Sequence, residues 1–477
     1  MDPSVTAGQL RSAYSWTTAG VVVKQAVGFG ISMLLARLLA PADFGLLGMV
    51  LVFTAVLSAV QELGLGQAVV YFQQDRETVA ACFTVSFLTS SLMALGLIAA
   101  APAIAGFYRT PALAPVVRWL SLSLLLGGCR VVAMGLLLKS FRFRRVTILE
   151  SISGLLGGGV AVVLAWRGFG VWSLVCNLLL SEALQTAGAL ASCPPSLTLR
   201  LRPRVLKMVL AWSLPLTGST LCWQWYSNAD YLIIGRVLGS RVLGIYTIAY
   251  RLAGFVNERI GPVLGRVSFP TFSALKQERQ AAVAHWLVLV ESTALLTVPL
   301  IALLAVNAED LILILLTRKW LPAAHLLQIL AVVAVLKTAA PLTVNLLAAS
   351  GRTDIQFQYS LLNAIVMPLA FYLGCRWGRE TGVALAWLSV YPLTVLFLFW
   401  RAVQVTGVRP LTILGAFRLP LLATIPAMLV ALAVQAGFKA GLERLAACGV
   451  AYVATEALVY AFHRPLRLRI ASILRGA

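Results

Sequence analysis

Apolar residues fill this chain in runs of about twenty, parted by short polar turns, and the pattern continues to residue 462. A run of that length crosses about 30 Å of hydrocarbon as an α-helix. The runs predict an all-α polytopic membrane protein with fourteen transmembrane helices. They lie at about 14–36, 44–63, 81–106, 113–138, 147–166, 170–192, 206–230, 242–268, 283–305, 322–348, 356–375, 382–401, 412–436 and 442–462. The seventh and eighth hold most of the charge found inside the runs, and the break between them is short.

One break returns. LLARLLAPADFGLLG, residues 34–48, sets an arginine, a proline and an aspartate between two apolar runs, and LIIGRVLGSRVLGIYT, residues 232–247, repeats it 199 positions later. In register, Arg37 falls on Arg236, Leu39 on Leu238, Ala40 on Gly239, Phe44 on Leu243 and Gly45 on Gly244. Six spans separate the copies. An even number preserves topology, so the halves are parallel repeats about an axis along the membrane normal. Two fainter echoes follow in the same order: LLLKSFR (136–142) with LLAASGR (346–352), and RGFGVWSL (167–174) with RETGVALA (379–386). The expected organisation is two pseudo-symmetric six-helix lobes, residues 1–197 and 198–404, followed by two further helices and a basic tail over 405–477.

Composition agrees with a chain that lives in lipid: 60% of the 477 residues are hydrophobic and 12% are charged, with a mean hydropathy of +0.90. The opening MDPSVTAGQLRSAYSW lacks the basic start, short apolar core and small-residue cleavage site of a removable leader, so the first span is expected to stay. Seven scattered cysteines without Cys/His clustering give no reason to infer a disulfide framework or a metal site. The net charge of +21 is ascribed to basic loops facing anionic lipid rather than to a nucleic-acid partner. Leaving aside the six cations deep within the runs (Lys24, Arg130, Arg251, Arg259, Arg266 and Lys337), 20 basic residues in the loops and at the span ends fall on the side of the N-terminus and 12 on the other. The positive-inside rule then puts both termini in the cytoplasm.

Several cations sit where lipid should exclude them: Lys24, Arg130 and Lys337 within long apolar runs, and Arg251, Arg259 and Arg266 in the eighth span. Each costs about 3 kcal/mol at a helix centre on insertion scales, so each should face water or a partner. Arg251 and Glu258 are seven residues apart, as are Arg259 and Arg266, which places each pair on one helical face. These residues suit a cationic cavity. Snorkelling of Lys24 and pairing of Arg251 with Glu258 or Asp230 are the plain structural alternatives. The acids inside or near spans are Glu62, Glu150, Glu182, Asp230, Glu258, Glu291 and Glu456. Asp230 and Glu258 are the candidates for carrying a coupling ion. The segment WQWYSNAD offers Trp223, Tyr226 and Asn228 for sugar stacking and hydrogen bonding. An interfacial aromatic belt would use the same residues. Motifs of enzymatic chemistry are missing: there is no P-loop, HExxH or GxSxG. GLLGGG, residues 154–159, lies within a span, where small residues permit close helix approach.

With LLARLLAPADFGLLGMVLVF followed by QELGLGQAVV and a 6 + 6 + 2 arrangement, the chain resembles the polysaccharide flippases of the MOP exporter superfamily, and within it the Wzx/WzxC-type exporters. The resemblance spans essentially the whole sequence. It implies two bundles that open alternately to either side of the bacterial inner membrane, with no enzymatic activity and no cofactor. It implies a cargo of undecaprenyl-pyrophosphate-linked oligosaccharide for capsule, O-antigen or exopolysaccharide, driven by a H⁺ or Na⁺ gradient. Membrane lipids, and a polysaccharide polymerase with its export machinery, are the implied partners. Under this reading Lys24, Arg130, Arg251, Arg259 and Lys337 would hold the diphosphate. A multidrug exporter of the same superfamily and a lipid II flippase are the alternatives. The former would favour an acidic cavity for cationic cargo. A membrane glycosyltransferase or polymerase should show a large outer loop or an acidic catalytic motif. A purely structural partner should tolerate loss of the cations.

Overall fold

The computed structural model describes residues 25–62, 76–140, 142–193, 203–275 and 278–462. Lys24 and the basic tail lie outside the described residues, as does the side chain of Arg259. Every regular element described is helical. The helices are α1 (Gln25–Leu38), α2 (Pro41–Glu62), α3 (Arg76–Phe107), α4 (Leu113–Lys139), α5 (Phe143–Trp166), α6 (Val171–Ala191), α7 (Pro203–Leu238) and α8 (Ser240–Ala274). After them come α9 (Arg279–Val306), α10 (Ala308–Leu315), α11 (Ala323–Ala349), α12 (Thr353–Ser389), α13 (Tyr391–Thr406), α14 (Pro410–Gln435) and α15 (Leu442–Phe462), with a 3-10 turn at Arg318–Trp320.

Ten stretches among the described residues are long and apolar enough to cross a membrane. Their outward side chains are large and greasy: Leu92, Leu411 and Val450 are 73%, 78% and 71% exposed. That surface would be unfavourable in water and is natural against lipid. The chain is a multi-pass membrane protein. Serine and threonine hydroxyls inside the spans donate to carbonyls one turn back, as Thr84 does to Ala80 (2.7 Å) and Ser91 to Phe87 (2.7 Å), so few polar groups are left to face hydrocarbon.

The proline and aspartate of the opening break start a helix. Pro41 is the first residue of α2, where a missing N–H costs nothing. The Asp43 carboxylate reaches back to accept the Ala40 backbone N–H at 2.9 Å, the acidic half of a capping box. In the second copy a single residue, Gly239, joins α7 to α8 with a φ of +86°, a value that glycine adopts without strain.

The longest apolar stretch, Thr353–Thr406, has 54 residues, far more than one crossing needs. It is broken at Gly378 (φ −133°, ψ 20°) and Arg379 (φ 53°, ψ −139°). Gly374 and Gly382 would be about 12 Å apart along a continuous helix. Instead, a Cβ on Gly382 would fall 1.9 Å from the Gly374 carbonyl oxygen. The chain doubles back there, at the break expected between residues 375 and 382.

Contacts divide the protein into two compact units, the first ending at Gly244 and the second starting at Ile245. In the first, α3 lies along α4, α5 along α6, and α2 against α7. Small residues bring these helices close. The Ser86 hydroxyl donates to the Gly128 carbonyl at 2.8 Å, and a Cβ on Gly128 would lie 2.0 Å from Ser90 Oγ. In the second unit α9 packs on α11 and α14, and Val256, Ile301, Ala331 and Ala334 form one patch of core. Arg444 of α15 grips Asp310 at 2.7 Å and Glu309 at 2.6 Å on α10, and Asp310 also accepts the Gly441 N–H at 2.8 Å.

Candidate functional site

The cations expected in a site meet two different environments. In the first unit, Arg130 projects from α4 toward Glu182 of α6, with Nη2 at 3.2 Å from Oε1 and 3.1 Å from Oε2. Both side chains are about a quarter exposed. The pair cancels its own formal charge inside a span, which is the cheapest way to keep either residue there. The match is incomplete, since Arg130 Nε is buried without a hydrogen-bond acceptor.

In the second unit, Lys337 of α11 is surrounded by rings. Its Nζ donates to Tyr250 Oη at 2.8 Å. It lies 3.4 Å from the centroid of the Trp387 ring, 4.6 Å from that of Tyr250 and 5.8 Å from that of Tyr391. Four helices, α8, α11, α12 and α13, supply these groups. Trp387 is 0% exposed and is wedged between Phe371 (5.0 Å) and Tyr391 (5.4 Å). Behind it, the Tyr391 and Tyr359 hydroxyls lie 3.4 Å apart, and Thr394 donates to Asn363 Oδ1 at 2.9 Å. The Lys337 side chain itself is half-buried.

The segment 223–230 on α7 divides by face. Trp223 and Trp225 point outward, at 51% and 40% exposure. Tyr226 and Asp230 are buried within the first unit, Asp230 completely. The Asp230 carboxylate accepts the Tyr231 N–H at 2.8 Å. Asn228 turns its amide back onto its own helix, donating to the Gln224 carbonyl at 2.8 Å. Arg251 and Glu258 are both exposed on α8, two turns apart. The same helix is tied to α11 by Asn257, which donates to the Ala334 carbonyl at 2.8 Å, and by Asn345, which donates to Ser268 at 2.8 Å.

The structure thus joins Lys337 to three aromatic residues that sequence reasoning did not name, and joins Arg130 to an acid that it named without a partner. Tyr250, Trp387 and Tyr391 gave no signal, being aromatic residues in apolar runs. Just past the end of α6, Cys193 packs its thiol 3.4 Å from the Ala133 carbonyl oxygen. Burial raises its pKa, and Arg142 offsets this in part.

Residues 34–325 match the family described as "Polysaccharide biosynthesis protein". The chain is 29% identical over 399 residues to the succinoglycan biosynthesis transport protein ExoT of Rhizobium meliloti (strain 1021), covering 82% of this chain and 79% of that one. It is 23% identical over 441 residues to the lipopolysaccharide biosynthesis protein WzxC of Escherichia coli (strain K12), covering 88% and 87%. Among solved structures, the lipid II flippase MurJ in an inward closed conformation aligns with a TM-score of 0.72 at 13% identity, over 93% of this chain and 98% of that one. An inward-facing multidrug resistance MATE family transporter of the MOP superfamily aligns with a TM-score of 0.66 at 15% identity, over 81% and 98%. At such identities the structural likeness speaks for the fold alone.

Proposed function

This chain belongs to the polysaccharide biosynthesis family that matches residues 34–325, and on that premise we propose that it is a flippase for lipid-linked oligosaccharide. Its cargo is an undecaprenyl-pyrophosphate-linked repeat unit, carried across the bacterial inner membrane by alternating access through a cationic cavity. Fourteen spans in two six-helix lobes (1–197 and 198–404), with two further helices, would house it, both termini cytoplasmic. A H⁺ or Na⁺ gradient drives the cycle.

The observation that carries this reading is the Lys337 ammonium held within a membrane span by Tyr250 and Trp387. The diphosphate and hydroxyls of such a cargo cannot enter hydrocarbon, where each unsatisfied polar group costs several kcal/mol. The polyprenyl tail never needs to leave it. A cation inside the span offers the anionic head a charge-assisted hydrogen bond. Arg251, exposed on α8, is a second such group in the same unit. Glu258, exposed on the same helix, is the better placed of the two coupling candidates, because Asp230 is enclosed. The relatives named for succinoglycan and lipopolysaccharide biosynthesis support a cargo of this class. Lipid II, which carries the same kind of lipid-linked diphosphate head, is the second reading.

Proteoliposomes carrying a fluorescent undecaprenyl-pyrophosphate oligosaccharide, with a quencher added outside, test the proposal. The wild-type protein is expected to move the head group across, and Lys337→Ala to slow this about tenfold. Crossing no faster than in protein-free liposomes, with or without an ion gradient, would overturn it. Crossing of lipid II alone would select the second reading.

A further inference from the structure

The first residue of α9, Arg279, reaches across to α13 and donates through Nη2 to the Val405 carbonyl. A Cβ on Gly407, just past the end of α13, would lie 3.9 Å from the same nitrogen. At the opposite end, Gln435 of α14 donates to the carbonyl of Val306, the last residue of α9, at 2.7 Å. Helices α9 and α14 therefore run side by side in one direction and start at one level, beside the end of α13. Arginines gather there. Arg401 lies on α13 one turn before Val405, on the same side of the helix. Arg409 directly precedes Pro410, where α14 begins.

Among the described residues, no carboxylate pairs with Arg279, Arg401 or Arg409. Glu278, the acid next to Arg279 in sequence, is exposed. Arg401 is half-buried, and its Nε is enclosed without a hydrogen-bond acceptor. A solvated arginine keeps its donors in water, whereas this one is fixed against protein with its charge unmatched. A fourth arginine extends the set toward lipid. Arg418 shares one face of α14 with Leu411, Leu414, Leu422 and Ile425, all of them exposed. That face lies opposite the buried Ile413 and Ala423. Arg418 sits about 12 Å along the helix from Pro410, and among the described residues it too has no carboxylate. A guanidinium on an apolar, lipid-facing stripe is costly unless it snorkels toward the headgroups. The nearer end of α14 is the one where Arg279, Arg401 and Arg409 stand.

We infer that this end of the second unit is a binding site for the phosphate of an anionic membrane phospholipid. The planar guanidinium fork suits phosphate oxygens, and the exposed leucines beside Arg418 offer the acyl chains an apolar wall. A free phosphate ion shares the charge but gains nothing from the wall. The inference does not depend on the cargo proposed above.

Phosphatidylglycerol, titrated into the delipidated full-length protein in detergent and followed by native mass spectrometry, is the probe. The wild type is expected to hold a first phosphatidylglycerol about tenfold more tightly than phosphatidylcholine, which has the same tails and no net charge. Arg401→Gln, and Arg409→Gln combined with Arg418→Gln, are each expected to weaken that first binding about tenfold. Arg409 and Arg418 are exposed, so the combined variant keeps the test readable if Arg401→Gln misfolds. Arg145→Gln removes an exposed arginine from the first unit and should change the binding by less than about twofold. Equal losses in Arg145→Gln and in the second-unit variants would mean diffuse attraction and overturn the inference. Equal retention of the two lipids would do the same. Displacement by sodium phosphate beyond that by sodium chloride at equal ionic strength would make free phosphate the ligand and overturn the lipid assignment.

Discussion

Gly45 and Gly244 pack into each other's turns. A Cβ on Gly45 would fall 1.7 Å from the Ser240 carbonyl oxygen, and a Cβ on Gly244 would fall 1.7 Å from that of Pro41. At the offset of 199, Pro41 corresponds to Ser240 and Gly45 to Gly244. The two contacts are therefore one contact seen from either copy of the repeat, a self-complementary meeting of equivalent turns. The sequence repeat and the packing have one cause: both copies need a residue without a side chain at the point where backbone meets backbone.

Adding a methyl group at either glycine must push backbone aside. Gly45→Ala and Gly244→Ala are each expected to destabilise the protein by about 1–3 kcal/mol, seen as a lower midpoint of thermal unfolding in detergent. An unchanged midpoint in both would contradict the close approach.

The Arg130–Glu182 pair predicts a non-additive result. Glu182→Leu alone leaves a cation unmatched in the span and is expected to cost about 3–5 kcal/mol. The double replacement Arg130→Leu with Glu182→Leu should be milder than either single change, since no orphaned charge remains. Unfolding of all three variants checks this, and simple additivity would argue against the pairing.

Arg379 occupies a left-handed conformation at φ 53° in the turn where the chain doubles back. Glycine there removes a Cβ penalty of about 1 kcal/mol. The contact with Glu380 that is lost is largely exposed and 3.5 Å long, so it is worth little. Arg379→Gly is expected to raise the unfolding midpoint, and a lower one would refute the assignment of strain.

One of the ties of the last two helices is Asp310, which is 0% exposed and held by Arg444 and the Gly441 N–H. Arg444→Leu strands that carboxylate and should cost about 3 kcal/mol or more. Asp310→Asn keeps an oxygen for Gly441 and should be gentler. Limited proteolysis of the Gln435–Leu442 connection gives the readout: faster cleavage in Arg444→Leu than in Asp310→Asn is the expected order.

Much of the helical layout was legible because its signals are local. Pro41 and Asp43 marked the break between the first two spans, and the echo RETGVALA lies at the break at Gly378 and Arg379. The partners of the buried charges were not legible. Glu182 lies 52 residues from Arg130, and Tyr250 lies 87 from Lys337. In a helix that is apolar all round, no polar stripe marks which face meets which neighbour. Nor does the sequence show how the segment around Asp230 divides: the turn of α7 buries Asp230 and Tyr226 and leaves Trp223 and Trp225 exposed.

The Arg130–Glu182 pair also bears on how the protein is made. Synthesis runs from the N-terminus, so α4 with Arg130 is made before α6 with Glu182. Until Glu182 follows, the nascent chain carries a lone guanidinium worth about 3 kcal/mol against insertion, which the leucines and valines of α4 must outweigh. The order of residues along the chain therefore puts the cost of the cation before the carboxylate that offsets it.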